Sequence, residues 1–185
     1  MEIGATKAVQ DRLKTTKIEE SKGTSLVFCW DTHLTKIKGR NVLFIVNASN
    51  RYTITMTDIE PRNWNYYTMY ISRVIHGVMQ EMGYSEDQIG QYFKMSGDTT
   101  VTKTHGRKSV GGINRMVMDA QYFGKKLEKE AKYQWELSEY LNRDICQPEG
   151  FDAYGYPSEL FKLDMERLGI AVKRKPVKVI DFAQY

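Results

Sequence analysis

The chain has 185 residues, enough to bury one good hydrophobic core and too few to favour two domains. Its composition, 41% hydrophobic and 12% aromatic, argues against intrinsic disorder, and no apolar run approaches the about 18 residues that a membrane span needs. A formal charge of +4 permits a nucleic-acid partner and excludes a protein that works by imitating the polyanionic surface of DNA.

The stretch Met1 to Lys7 shows no basic region followed by an apolar one, so no secretory signal is read and a cytoplasmic location is expected. Ile3-Gly-Ala reads as a short strand, and Thr6 is a possible cap for a helix carrying Ala8, Val9, Arg12 and Leu13. A polar run from Thr15 to Gly23 follows. Three strand-like runs come next, Ser25 to Ile37, Val42 to Val46 and Tyr52 to Thr57, joined by Lys38-Gly-Arg and Asn47-Ala-Ser-Asn-Arg, as in an antiparallel meander. In the last run Tyr52, Ile54 and Met56 alternate with three threonines, so one buried face and one wet face are expected.

After Pro61 the apolar spacing becomes helical, through Tyr67, Ile71, Ile75 and Val78, with Gly83 as a stop. Ser85-Glu-Asp-Gln88 opens a second helix to about Phe93, a strand is expected over Thr99 to Thr104, and a third helix over Ser109 to Ala131. Further helices are read over Tyr133 to Asn142 and from Pro157 to near Gly169, and the tail 172–185 carries the basic cluster Lys173, Arg174, Lys175 and Lys178. Strands first and helices afterwards predict an α+β fold, an antiparallel sheet of about five strands with four to five helices packed on it, in one domain over 1–185.

The strand-to-helix junction carries the chemistry. Lys103, His105, Arg107 and Lys108 supply cationic or titratable groups, Ser109 is the expected N-cap, and Gly111 and Gly112 would leave first-turn amides uncovered. With Thr104 and Asn114 they form a candidate phosphate- or RNA-binding set. Gly106-Arg-Lys-Ser lacks the upstream glycine of a P-loop, which excludes a nucleoside-triphosphatase signature. A metal-independent ribonuclease would use His105 as the base for a 2′-hydroxyl and Lys103 and Arg107 for the phosphorane-like charge, but Thr104, Ser109 and Tyr122 are weak acids for the leaving oxygen. A third reading is a small regulatory domain that binds an anionic metabolite.

No cofactor is called for. His33, His76 and His105 are scattered, and Cys29 and Cys146 lie outside any CxxC pattern, so no metal site is expected and the thiols read as reduced and buried. Asp31 and His33 share a strand face without a nucleophile identifiable beside them. Trp64, Tyr66 and Tyr67, with Arg62, crowd one helix start and form a candidate partner-binding surface; the alternative is that Trp64 and Tyr67 belong to the core. Oligomeric state leaves no mark.

The opening Ile3-Gly-Ala-Thr-Lys, the hairpin Trp30 to Val46 and the run Thr102-Lys-Thr-x-x-Arg-x-Ser-x-Gly-Gly-Ile-Asn114 resemble, over roughly residues 1–165, an uncharacterised domain family of bacteria, plasmids and phages. That family's motif reads Lys-Thr-x-x-Arg-Ser before a helix; here Lys108 stands between Arg107 and Ser109. The resemblance implies a shared site without an activity. The chain also looks like the type II-A anti-CRISPR proteins of streptococcal mobile elements, which implies a Cas9 inhibitor that binds Cas9 or its guide RNA.

Overall fold

A computed structural model of the protein describes residues 1–15 and 18–171; the basic tail expected over 172–185 lies outside the described residues. The fold is α+β. Five strands, β1 (Glu2–Ala5), β2 (Cys29–Ile37), β3 (Arg40–Asn47), β4 (Thr53–Thr57) and β5 (Thr100–Thr102), make one sheet in the order β4-β3-β2-β1-β5. The meander β2-β3-β4 is antiparallel as expected, whereas β1 runs parallel to both its neighbours, so the sheet is mixed. Lys38 and Gly39, with φ of 49° and 82°, form the two-residue connection whose left-handed backbone matches the twist of a hairpin.

Register explains the composition of β3. Leu43 and Ile45 face a core built with α1 (Lys7–Leu13), α3 (Tyr67–Glu81), α4 (Glu86–Ser96) and α7 (Pro157–Arg167). Val42, Phe44 and Val46 face a second core with α5 (Arg107–Tyr122) and α6 (Trp135–Asn142). A strand covered on both sides must be apolar at every position. A short helix, α2 (Pro61–Asn65), precedes α3 and brings the described helices to seven, because the aromatic run divides at Tyr66. The expected helix at Ser85 is present, with Ser85 and Gln88 exchanging a capping box, and extends to Ser96.

Three expectations are corrected. Thr53, Thr55 and Thr57 are not wet: all three are fully buried under α6. Their polar groups are answered by side chains, Asn142 bonding both the amide and the carbonyl of Thr53 at 2.8 Å, and Ser138 Oγ accepting from the Thr55 amide at 3.0 Å. Replacing Asn142 by leucine should therefore cost about 1–3 kcal/mol in a denaturant titration, by orphaning two backbone groups at a buried edge; an unchanged midpoint would contradict this. Secondly, α5 ends at Tyr122 and not near Ala131. The following loop keeps Phe123 and Leu127 in the core while its carbonyls take bonds from the β2–β3 turn, Lys38 Nζ to Lys125 at 2.7 Å and Arg40 to Glu128 at 2.7 Å. Thirdly, β5 is shorter than Thr99–Thr104, since the Lys103 amide turns to the Glu19 carbonyl at 2.9 Å.

Candidate functional site

Paired residues across a sheet point to the same side, so Glu2 and Gly4 of β1 share a face with Cys29 and Asp31 of β2, their register partners. This is the face that α5 covers, at the end where α5 begins. The chain leaves β5 over it, and His105 swings its ring between the two carboxylates. Its Nδ1 lies 2.7 Å from Asp31 Oδ1 and its Nε2 3.0 Å from Glu2 Oε2, with the ring only 2% exposed. Asp31 also accepts the His105 backbone N–H at 3.2 Å and the hydroxyl of Ser109. Glu2 accepts the Lys22 amide at 2.9 Å and the Thr24 hydroxyl on its other oxygen.

Electrostatics follow from that geometry. Burial pushes the pKa of His105 down, but the hydrogen bonds from its ring to Asp31, and the neighbouring Cys29, outweigh it and raise the value to about 10. For Glu2, burial pushes upward and is overcome by hydrogen bonds from Thr24, Ser21, His105 and the Lys22 amide, which hold it at about 2. The group is thus carboxylate, imidazolium, carboxylate. Gly4 makes room for it: a Cβ there would fall 1.8 Å from Asp31 Oδ1 and 3.0 Å from Thr104 Cα.

This arrangement corrects the catalytic role expected of His105. A base for a 2′-hydroxyl needs a free ring nitrogen within reach of substrate, and here both nitrogens donate to buried carboxylates. The remaining members of the set divide between exposed and buried positions. Lys103 is exposed and pairs with Glu20. Arg107 is the first residue of α5 and exposed; Lys108 Nζ donates to the Pro148 carbonyl at 3.2 Å; Asn114 is exposed, and Thr104 half-buried.

Gly106, with φ of 99°, takes the N-cap position assigned to Ser109. Ser109 is the third residue of the helix and turns its hydroxyl to Asp31. Gly111 and Gly112 consequently fall in the second turn, where helical bonds already use the amides. Gly112 has another task. A Cβ there would lie 2.8 Å from Arg51 Nε, so its bare backbone lets the Arg51 guanidinium lie across α5. Gly111 is open, with nothing within 4 Å of where a Cβ would be.

Of the aromatic set, Trp64 stacks on Tyr67 with ring centroids 5.5 Å apart, and both are buried in the core on the α3 side of the sheet. Tyr67 donates its hydroxyl to Thr32 Oγ1 at 2.7 Å. Only Tyr66, 65% exposed, and Arg62, paired with Glu60, remain at the surface. Trp64 and Tyr67 are therefore core residues, and they meet Tyr66 along the lining of one open pocket. Thr6, expected to cap α1, occupies the N-cap position without capping and turns its hydroxyl to His33 Nδ1 at 3.1 Å.

A family model described as a domain of unknown function, DUF6933, matches residues 2–160. The chain belongs to the DUF6933 family. No curated protein and no solved structure matches it. The matched span contains every residue of the Glu2, Asp31, His105 and Ser109 network, so the whole cluster lies inside the DUF6933 domain. Sequence reasoning missed Glu2 entirely and left Asp31 without a partner, because what joins them is strand register and a chain reversal after β5. A large cleft of 590 Å³ opens elsewhere, where α5 ends, among Phe123, Trp135 and Tyr140 and the carboxylates Asp119, Glu136, Glu139 and Asp144. Each of these carboxylates is paired with a cation, Glu136 with Lys125, Glu139 with Arg143, and Asp119 and Asp144 with Arg115.

Proposed function

We propose that this DUF6933 protein binds a phosphate-bearing partner at the N-terminal half of α5, through Arg51, Arg107 and Lys108. The observation that supports this is the placement of these three cations: none has a carboxylate oxygen within 4.0 Å among the described residues, whereas Lys103 is engaged by Glu20. Arg51 and Lys108 line one crevice with Ser109, Pro148 and Glu149, and Lys108 is one turn before Gly112, over which Arg51 lies. Arg107, Gly111 and Asn114 follow at helical spacing along an exposed stripe, and the bare Gly111 permits close approach of a polymer backbone. First-turn amides of α5 add a favourable dipole end without side-chain capping.

RNA is the partner this reading favours, since a row of cations positions a phosphate chain without specifying its sequence. Set beside the resemblance to anti-CRISPR proteins, the specific candidate is guide RNA, free or held by Cas9, and the protein acts as a binding inhibitor from a phage or plasmid. His105 in this scheme is a positioning residue beneath the contact surface.

Labelled guide RNA, with and without Cas9 and in the presence of chelator, tests the proposal by fluorescence anisotropy over a salt series. Three phosphate contacts predict a slope of log K against log salt of about −2 to −3. Glutamine at Arg51, Arg107 and Lys108 together should flatten that slope nearly to zero while RNA length stays intact. Equal affinity of the parent and the triple variant, or no binding at low salt, would sink the proposal.

A further inference from the structure

We propose that Glu2, Cys29 and His105 form a binding site for a divalent transition-metal ion, zinc by the nature of the ligands. The three come from β1, β2 and the segment after β5. Each offers one ligand atom, and these atoms all lie within 4.8 Å of one another in a buried position. Bonds of about 2.0–2.3 Å in a tetrahedral zinc site put neighbouring ligand atoms about 3.3–3.8 Å apart, so small side-chain adjustments close the group around an ion.

The surroundings are arranged as metal sites require. Asp31 holds His105 by Nδ1, which leaves Nε2 as the nitrogen facing Glu2 and reproduces the carboxylate–imidazole support found behind metal-bound histidines. Glu2 is fixed through Oε1 by Lys22 and Thr24, so Oε2 is the oxygen presented. The Cys29 thiol is fully buried, yet it sits beside an imidazole and a carboxylate rather than in an apolar shell. The thiol makes long hydrogen bonds to the carbonyls of Ser25 and Thr24, at 3.5 and 3.6 Å, and lies against the His105 ring.

A divalent ion binds the unprotonated nitrogen and the thiolate, so any proton on Nε2 or Sγ is released to solvent as it enters. Thiolate, imidazole and a single carboxylate select zinc or cobalt over magnesium and calcium, which require oxygen ligands. Three protein ligands leave the fourth position to water.

Titrating the full chain with Co²⁺ provides the test, because a Co²⁺–thiolate bond gives a near-ultraviolet charge-transfer band that ions on the surface do not. One equivalent should develop the band, and Zn²⁺ should abolish it by competition. Cys29→Ser should eliminate the band and Cys146→Ser should leave it intact. Asp31→Asn, acting through His105, should keep the band while lowering affinity about 10–100-fold. Absence of a band in the parent protein overturns the proposal without reference to any variant's folding. So does a band that survives Cys29→Ser or vanishes with Cys146→Ser.

Discussion

Replacing His105 by glutamine should destabilise the protein by about 3–5 kcal/mol, the range for removing one partner of a buried ion pair. The size follows from what remains: Glu2 and Asp31, both nearly inaccessible, lose the cation that lies between them. The pH profile gives the effect a signature. His105 has a folded pKa raised from 6.5 to about 10, so its contribution is complete below about pH 6.5, fades as the pH rises, and is gone above about 10. Glu2, lowered from 4.5 to about 2, contributes fully above about pH 4.5 and is lost as the pH falls toward 2. The parent should therefore lose stability between pH 6.5 and 10, and the glutamine variant should lose much less over that range. Denaturant midpoints measured at several pH values check this; parallel profiles for the two proteins would refute the imidazolium assignment.

Gly4→Ala should be at least as harmful, costing at least about 3 kcal/mol, although it adds a single methyl group. The added Cβ has two neighbours to displace. One is the Asp31 carboxylate, which is held by the His105 ring, the His105 amide and Ser109. The other is backbone at Thr104, which cannot swing away. Gly111→Ala makes the matched control, since that position is an open helix interior where alanine should stabilise by about 0.5–1 kcal/mol. Thermal melts of the pair should move in opposite directions. A Gly4→Ala protein as stable as the parent would mean that the carboxylate is free to relocate.

Periodicity made most of the fold legible. The helical spacing from Tyr67 to Val78, the capping box at Ser85 and the turn at Lys38-Gly39 are local signals, and each element stands where its own residues put it. Alternation misled in β4, because threonine suits a half-exposed strand and only the arrival of α6 shows that Ser138 and Gln134 will answer the hydroxyls of Thr55 and Thr57, and Asn142 the backbone of Thr53. The junction before α5 was recognisable as unusual, but the reason for it was not. Lys103 to Gly112 look like a row of surface cations and bare amides. Yet the histidine in that row is drawn inward by Glu2 and Asp31, whose distance along the chain hides them from any motif.

The place of β1, inside the sheet between β2 and the edge strand β5, has a consequence for how the molecule is assembled. Its two hydrogen-bonded neighbours, β2 and β5, are joined to it by long excursions of chain, and both pairings are parallel. The β2-β3-β4 hairpins close over short loops and can form early, whereas the β1–β5 ladder must wait for a distant segment to return. Because His105 follows that strand, the like charges of Glu2 and Asp31 have no cation between them until β5 and the segment after it are in place. Until then the half-built sheet carries two unpaired acids on the face that α5 will cover, and those charges disfavour premature collapse of the helix onto it.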